Sequence, residues 1–444
     1  MTAPPPVPEP SAEGGAVRAA RAAGSADPIA RLVGIDFARF LAILGMMCAH
    51  LLPRPGMPGH EVWLDGLVDG NASTLFAVIG GISVVLATRR YLEVGAYAAA
   101  AWALAARGVL VILLGATLAM APISVVIVLV YFGVAMLGTI PFLRMPVRWL
   151  LGSAALLAVL GQLVNAPLRA ALDVGDEGGG LAWTEFADPL RALRGALVTG
   201  TYPVITWLVY LLVGMAVARL LLAVRHDDRA ARRFLLGAGL LGLGLAVLSI
   251  VSSRLIFELW GRAAAVQAAP GLDAALIDEL ARLQGQGAPA AADWWWLLGA
   301  APHTGTLLDI LRGVGVALFV IALMLGFARW APRWLLVALR PVSAAGAAPL
   351  TVYTVHVLGV ILATSLVLLL GPPAFSSVPW WYLSAQILGV HLAVALVIGA
   401  VLAVLGRRGP LEALVSAVST AAARLGSGSA RRGTPPARNA QSAL

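Results

Sequence analysis

Residues 31–52 read RLVGIDFARFLAILGMMCAHLL, an apolar run long enough to cross a bilayer, since ~20 apolar residues at ~1.5 Å rise span the hydrocarbon core. Within it stand Asp36, Arg39 and His50. At ~100° per residue Asp36 and Arg39 lie one helical turn apart, and the eleven steps from Arg39 to His50 add ~1100°, about 20° past three full turns. The three therefore share one helix face, with Arg39 and His50 ~16 Å apart along the axis. A charged group at the centre of a membrane helix costs ~2.5–3.5 kcal/mol on insertion scales, so a stripe of this kind marks a functional site.

The rest of the chain extends that reading. Of its 444 residues 60% are hydrophobic and only 12% charged, and the apolar residues come in long blocks, the composition of an all-α, polytopic integral membrane protein. Spans of ~20 residues fall at about 32–52, 69–88, 97–119, 122–143, 149–165, 202–224, 234–252, 304–328, 347–370 and 380–405, so about ten transmembrane helices are expected. Arginines cluster in every second connection, as in Arg89 and Arg90, Arg144 and Arg148, Arg225 to Arg233, and Arg407 and Arg408. That alternation predicts both termini on the cytoplasmic side of a multi-pass cell-membrane protein. The net charge of +9 comes entirely from arginine placed between apolar blocks, which points to topology and away from a nucleic-acid partner. The expected organisation is a disordered cytoplasmic tail over 1–30, one transmembrane domain over 31–408, and a cytoplasmic tail over 409–444. A single cysteine, Cys48, excludes an intrachain disulfide, a thiolate cluster and a CxxC redox motif.

Other polar groups have plainer readings beside the functional one. Gly237, Gly239 and Gly242 form a literal GxGxxG, but no strand precedes it, so small-residue helix packing is expected rather than a dinucleotide loop. Asp309 and Arg312 are one turn apart in the eighth span: they either neutralise each other or line a polar cavity. Tyr353 and His356 share a face of the ninth span and His391 lies in the tenth; none has a metal-ligand spacing, and no metal site is expected. Trp294 to Trp296 and Trp380 to Tyr382 read as interfacial aromatic belts. The stretch LDAALIDELARL, residues 272–283, has the apolar spacing of a helix lying on the membrane surface.

Arg39 followed eleven residues later by His50 resembles the first helix of the acyltransferase-3 family. The next segment, GHEVWLDGLVDGNASTLFAVIGG over 59–81, is similar to the heparan-alpha-glucosaminide N-acetyltransferase family in its His60, Trp63, Gly66, Asp69, Phe76 and Gly80-Gly81. TYPVITWLVYLLVGMAVARL over 201–220 and APLTVYTVHVLG over 348–359 resemble later helices of these relatives. The resemblance implies an acyltransferase that takes an acetyl or short acyl group from cytoplasmic acetyl-CoA and delivers it to a hydroxyl or amino group of a carbohydrate or cell-envelope acceptor. It makes His50 the first candidate base and His60 its rival, the neutral imidazole being suited to taking a proton near pH 7. Arg39 is expected either to hold the donor or to pair with Asp36. The lipid bilayer is the surrounding partner, and a homo-oligomer is compatible with the chain. A transporter or flippase for a small or lipid-linked anion, relaying through Asp36, Arg39, His50, Asp309 and His356, is the alternative reading.

Overall fold

The computed structural model of the chain describes residues 33–432 apart from 55–56, 58, 122–124, 173, 175–178, 290–292 and 372–378; the tail expected over 1–30 lies outside them. Among the described residues there is no strand, and the principal helices are α1 (Val33–Leu51), α2 (Asn71–Glu93), α3 (Tyr97–Leu118), α4 (Leu129–Gly138), α5 (Val147–Ala171), α6 (Val204–Val224), α7 (Asp228–Ile256), α8 (Leu307–Trp330), α9 (Pro349–Leu370), α10 (Ala385–Leu405) and α11 (Pro410–Arg432). Nine of the described helical stretches are long and apolar enough to cross a membrane. They coincide with nine of the ten expected spans. In the remaining one, 122–143, of which 125–143 are described, the structure has a ten-residue helix, α4, followed by a 3₁₀ turn over Ile140–Phe142. Pro141 and Pro146 lack the N–H that continuation of the helix needs.

Helix ends follow local chemistry. Asp227 caps α7 by accepting from the Arg229 and Ala230 amides, Thr306 caps α8 through the Asp309 amide, and Ser384 caps α10 through the Ile387 amide, each satisfying otherwise orphaned N–H groups. Gly406, left-handed at φ 61°, ends α10 as glycine commonly does.

The centre of the bundle is built on close backbone approaches. At the α2–α6 crossing a Cβ added to Gly214 would sit 1.9 Å from the Val78 carbonyl oxygen, so the two helices touch backbone to backbone, as small residues allow in membranes. Gly214→Leu should therefore push α2 and α6 apart, at a cost of at least ~1–3 kcal/mol, read as a lower melting temperature in detergent with less monodisperse protein. Gly242, the last glycine of the GxGxxG, packs in the same manner against the Gly315 carbonyl of α8. That agrees with the helix-packing reading.

Two segments differ from expectation. Residues 410–432, expected as tail, form α11, whose Ala423 packs on Ala99 and Ala103 of α3. Its Glu412 carboxylate accepts hydrogen bonds from the Leu350 amide (2.6 Å), the Thr351 amide (3.1 Å) and the Thr351 hydroxyl (2.6 Å), capping α9. The 272–283 stretch contains a short helix, Ala274–Leu280, whose Ile277 is buried with Ala265 and Trp295. It packs on the protein itself, and Trp295 is interior rather than part of a belt.

Candidate functional site

Where α1 ends, α2 and α8 begin and α7 ends, the bundle opens into a cleft of about 2000 Å³. One wall comes from the segment between α1 and α2. After His60 the chain forms a short helix, Val62–Val68, and Asn71 at the start of α2 holds its end by donating to the Gly66 and Leu67 carbonyls. This places Asp65 Oδ2 2.5 Å from His60 Nε2. A carboxylate only accepts, so Nε2 carries the hydrogen and Nδ1 of the neutral ring is left with its lone pair. His60, Asp65, Asp69 and Arg54 all line the cleft.

Arg312 of α8 closes the base of that wall. Its Nη2 donates to Asp309 Oδ1 at 2.9 Å, and both side chains are only 6% exposed. Asp309 Oδ2 also accepts from the Gly305 amide at 3.1 Å. The guanidinium lies over Gly70, where a Cβ would come within 2.8 Å of Nη2, and Gly70 at φ 71° turns the chain into α2. The facing wall follows α7: Arg262 pairs with Glu258 and with Asp278, each at 2.9 Å. Among the described residues Arg312 Nε, Arg262 Nε and Asp278 Oδ1 are buried without a hydrogen-bond partner.

Behind Pro302 lies a small polar niche, about 10 Å³, between His303, Asp309, Thr74, Thr206 and Tyr210, room for a single water. His303 adopts φ 58°, a strained conformation for a side-chain-bearing residue, and its ring stacks edge-on against Tyr202 at 5.2 Å. Burial, then the Arg312 charge, push His303 down to about 4; burial, reinforced by Asp69, pushes the Tyr202 hydroxyl up to about 12. Between pH ~6.5 and about 4 the unfolded chain thus binds a proton at His303 that the folded chain refuses, so stability is complete above this window and falls as the pH drops through it. Melting temperatures between pH 7 and 4 should decline, and His303→Asn should flatten the decline.

The candidates from the first helix separate. Arg39 lies in the first half of α1 and donates to Asp36 Oδ1 (2.8 Å), Ser83 Oγ (3.1 Å) and the Gly346 carbonyl (3.2 Å), so it ties α1 to α2 and to the short helix Arg340–Gly346. His50, at the other end of α1, meets His356 of α9: His50 Nδ1 to His356 Nε2 is 3.0 Å, and the rings stack 8° from parallel. His356 Nδ1 in turn lies 2.8 Å from His391 Nδ1 of α10. Tyr353, one turn before His356, is buried and stands outside this chain of imidazoles. Ala49 and Leu52 line the cleft, whereas His50 between them does not. Sequence reading passed over Asp65, Arg54, His303 and the Arg262–Asp278 wall. The five-residue spacing of His60 and Asp65 in HEVWLD was the one local signal for any of them.

A family model described as heparan-alpha-glucosaminide N-acetyltransferase, catalytic, matches residues 31–250. The match takes in α1 through most of α7, with His50, His60, Asp65 and Asp69, and stops before the Arg262–Asp278 wall, Arg312, His356 and His391. No curated protein matches the chain.

Proposed function

From the membership of residues 31–250 in the heparan-alpha-glucosaminide N-acetyltransferase catalytic family, we propose that this multi-pass membrane acetyltransferase uses acetyl-CoA as donor and acetylates an amino or hydroxyl group of a carbohydrate or cell-envelope acceptor. The observation that carries the assignment to a site is the His60–Asp65 pair on the cleft wall. Asp65 holds the Nε2–H tautomer and stabilises the imidazolium that forms, while Nδ1 takes the proton from the acceptor as its nitrogen or oxygen attacks the thioester carbonyl. The C–S bond then breaks and the proton passes to the departing thiolate. Arg312 and Arg54 are the cations on the same wall for the oxyanion that develops at that carbonyl.

His50 ranks behind His60 in this reading, because its Nδ1 is engaged by another imidazole. Arg39, bonded to Asp36, Ser83 and the Gly346 carbonyl, is assigned to holding helices together rather than to the donor. The Arg39 end of the bundle is placed on the cytoplasmic side and the cleft on the other, following the arginine distribution. Membranes containing the protein, incubated with acetyl-labelled acetyl-CoA and an amino-sugar acceptor, should yield labelled acceptor and free CoA in equal amounts. Release of neither product would overturn the proposal.

A further inference from the structure

One side of α11 is taken up by α3: Ala423 packs on Ala99 and Ala103, and a Cβ at Gly426 would lie 2.6 Å from the Ala98 carbonyl carbon. The rest of its surface divides into two flanks. Leu414, Val418 and Leu425 are exposed along one. Along the other runs an open trough of about 470 Å³, lined by Arg408, Ser416, Thr420, Arg424 and the alanines between them. At ~100° per residue the flanks are about a third of a turn apart. The helix is thus apolar on one flank and cationic on the next, the pattern of a helix lying where hydrocarbon meets headgroups.

The cations of the trough are held by neutral groups. Arg408 Nη1 donates to Ser416 Oγ at 2.8 Å. Arg90, near the end of α2, reaches the edge of the trough, its Nη2 lying 3.4 Å from Thr420 Oγ1 and 2.5 Å from the Tyr91 hydroxyl. Among the described residues no carboxylate pairs with Arg90, Arg408 or Arg424. Glu412 is bonded to the start of α9, and Glu93 pairs with Arg89 at 3.3 Å. An anion from outside the chain is what this surface lacks.

Depth in the bilayer decides which anion it meets. Ser384 and Gln386 at the start of α10 line the cleft, and α10 has 21 residues, ~30 Å of helix and the thickness of the hydrocarbon core. Arg408, just beyond its end, therefore stands at headgroup level on the side away from the cleft. Arg90 reaches the same level, about 28 Å along α2 from Asn71 by helix rise.

We propose that the trough binds the headgroup of an anionic phospholipid in the leaflet away from the cleft. A phosphate seated over Ser416 and Thr420 meets Arg408 on one side and Arg424 on the other, and a guanidinium fork suits two of its oxygens. The acyl chains run along Leu414, Val418 and Leu425. Because α11 carries the Glu412 cap of α9, a lipid clamped on it also steadies that helix. The trough is remote from the cleft, so the inference stands apart from the acetyl-transfer reading.

The test titrates full-length protein in detergent with phosphatidylglycerol or phosphatidylcholine and counts retained lipids by native mass spectrometry. Wild type should retain phosphatidylglycerol in preference. Arg408→Gln and Arg424→Gln should each weaken that binding roughly fivefold, the share of one arginine near an anionic surface, with the melting temperature in phosphatidylcholine unchanged. Phosphatidylglycerol should raise the melting temperature of wild type and have little effect on the double variant. Arg229→Gln, an exposed arginine where α7 begins at the same end of the bundle, is the control for general attraction and should bind as wild type does. An equal loss in Arg229→Gln, or none in the trough variants, would overturn the site. Excess acetyl-CoA should leave the bound lipid in place; its displacement would assign the trough to a soluble phosphate compound and likewise overturn the proposal.

Discussion

Replacing His60 by Gln lowers the rate of acetyl transfer by ~10²–10⁴, the usual contribution of a positioned general base, and leaves the melting temperature within a degree or two of wild type. The expectation follows from the position of His60. It lies in a connection on the cleft wall, and its bond within the fold is to Asp65, itself partly exposed, so little packing is lost with the ring. Glutamine keeps a donor for Asp65 but has no basic nitrogen. Asp65→Asn should have a smaller effect in the same direction, since the amide can turn its NH₂ toward His60 and favour the wrong tautomer. His50→Gln provides the contrast: its effect on the rate should be far smaller, since the proposed transfer does not use it. Measuring kcat and KM for the three variants against one amino sugar and one hydroxyl acceptor decides the matter, and full activity in His60→Gln would remove the proposed base.

The second large effect is on stability. Arg312→Met should destabilise the protein by ~3–5 kcal/mol, the range for removing one partner of a buried ion pair, because the Asp309 carboxylate stays 6% exposed with its countercharge gone. Asp309→Asn in the same chain should recover much of the loss. The amide oxygen can still accept from the Gly305 amide while no uncompensated charge is buried. Transfer activity should not recover with it if Arg312 supplies the charge opposite the oxyanion. Thermal melts and single-turnover rates on the two single variants and the double variant separate these roles. A double variant that regains both stability and rate would reduce Arg312 to a neutralising partner.

How much of this was legible from the residues differs between fold and site. The spans were readable because hydrocarbon imposes a length and a composition on each helix without reference to any other helix; α4 fell short where Pro141 interrupts its pattern. Helix faces were readable too, which is why Asp36, Arg39 and His50 were grouped. Which face meets which was not. His50 and His356 are 306 residues apart, and nothing in either helix names the other. Asp309 and Arg312, separated by a single turn, were paired from spacing alone, and the structure places them in contact. His60 and Asp65 needed the turn between α1 and α2 to bring them together, and the Arg262–Asp278 wall needed a 16-residue return of the chain.

The Glu412 cap on α9 has a consequence for the order in which the protein is made. The amides of Leu350 and Thr351 receive their carboxylate from a residue some sixty positions later, after the rest of α9 and all of α10 have been synthesised. A nascent chain can thus thread every long apolar helix into the bilayer and still lack the latch that fastens the ninth. Quality control that senses loose intramembrane helices would see an unfinished protein until α11 has left the ribosome. Premature termination just after Arg408 would yield a fully inserted product marked for degradation.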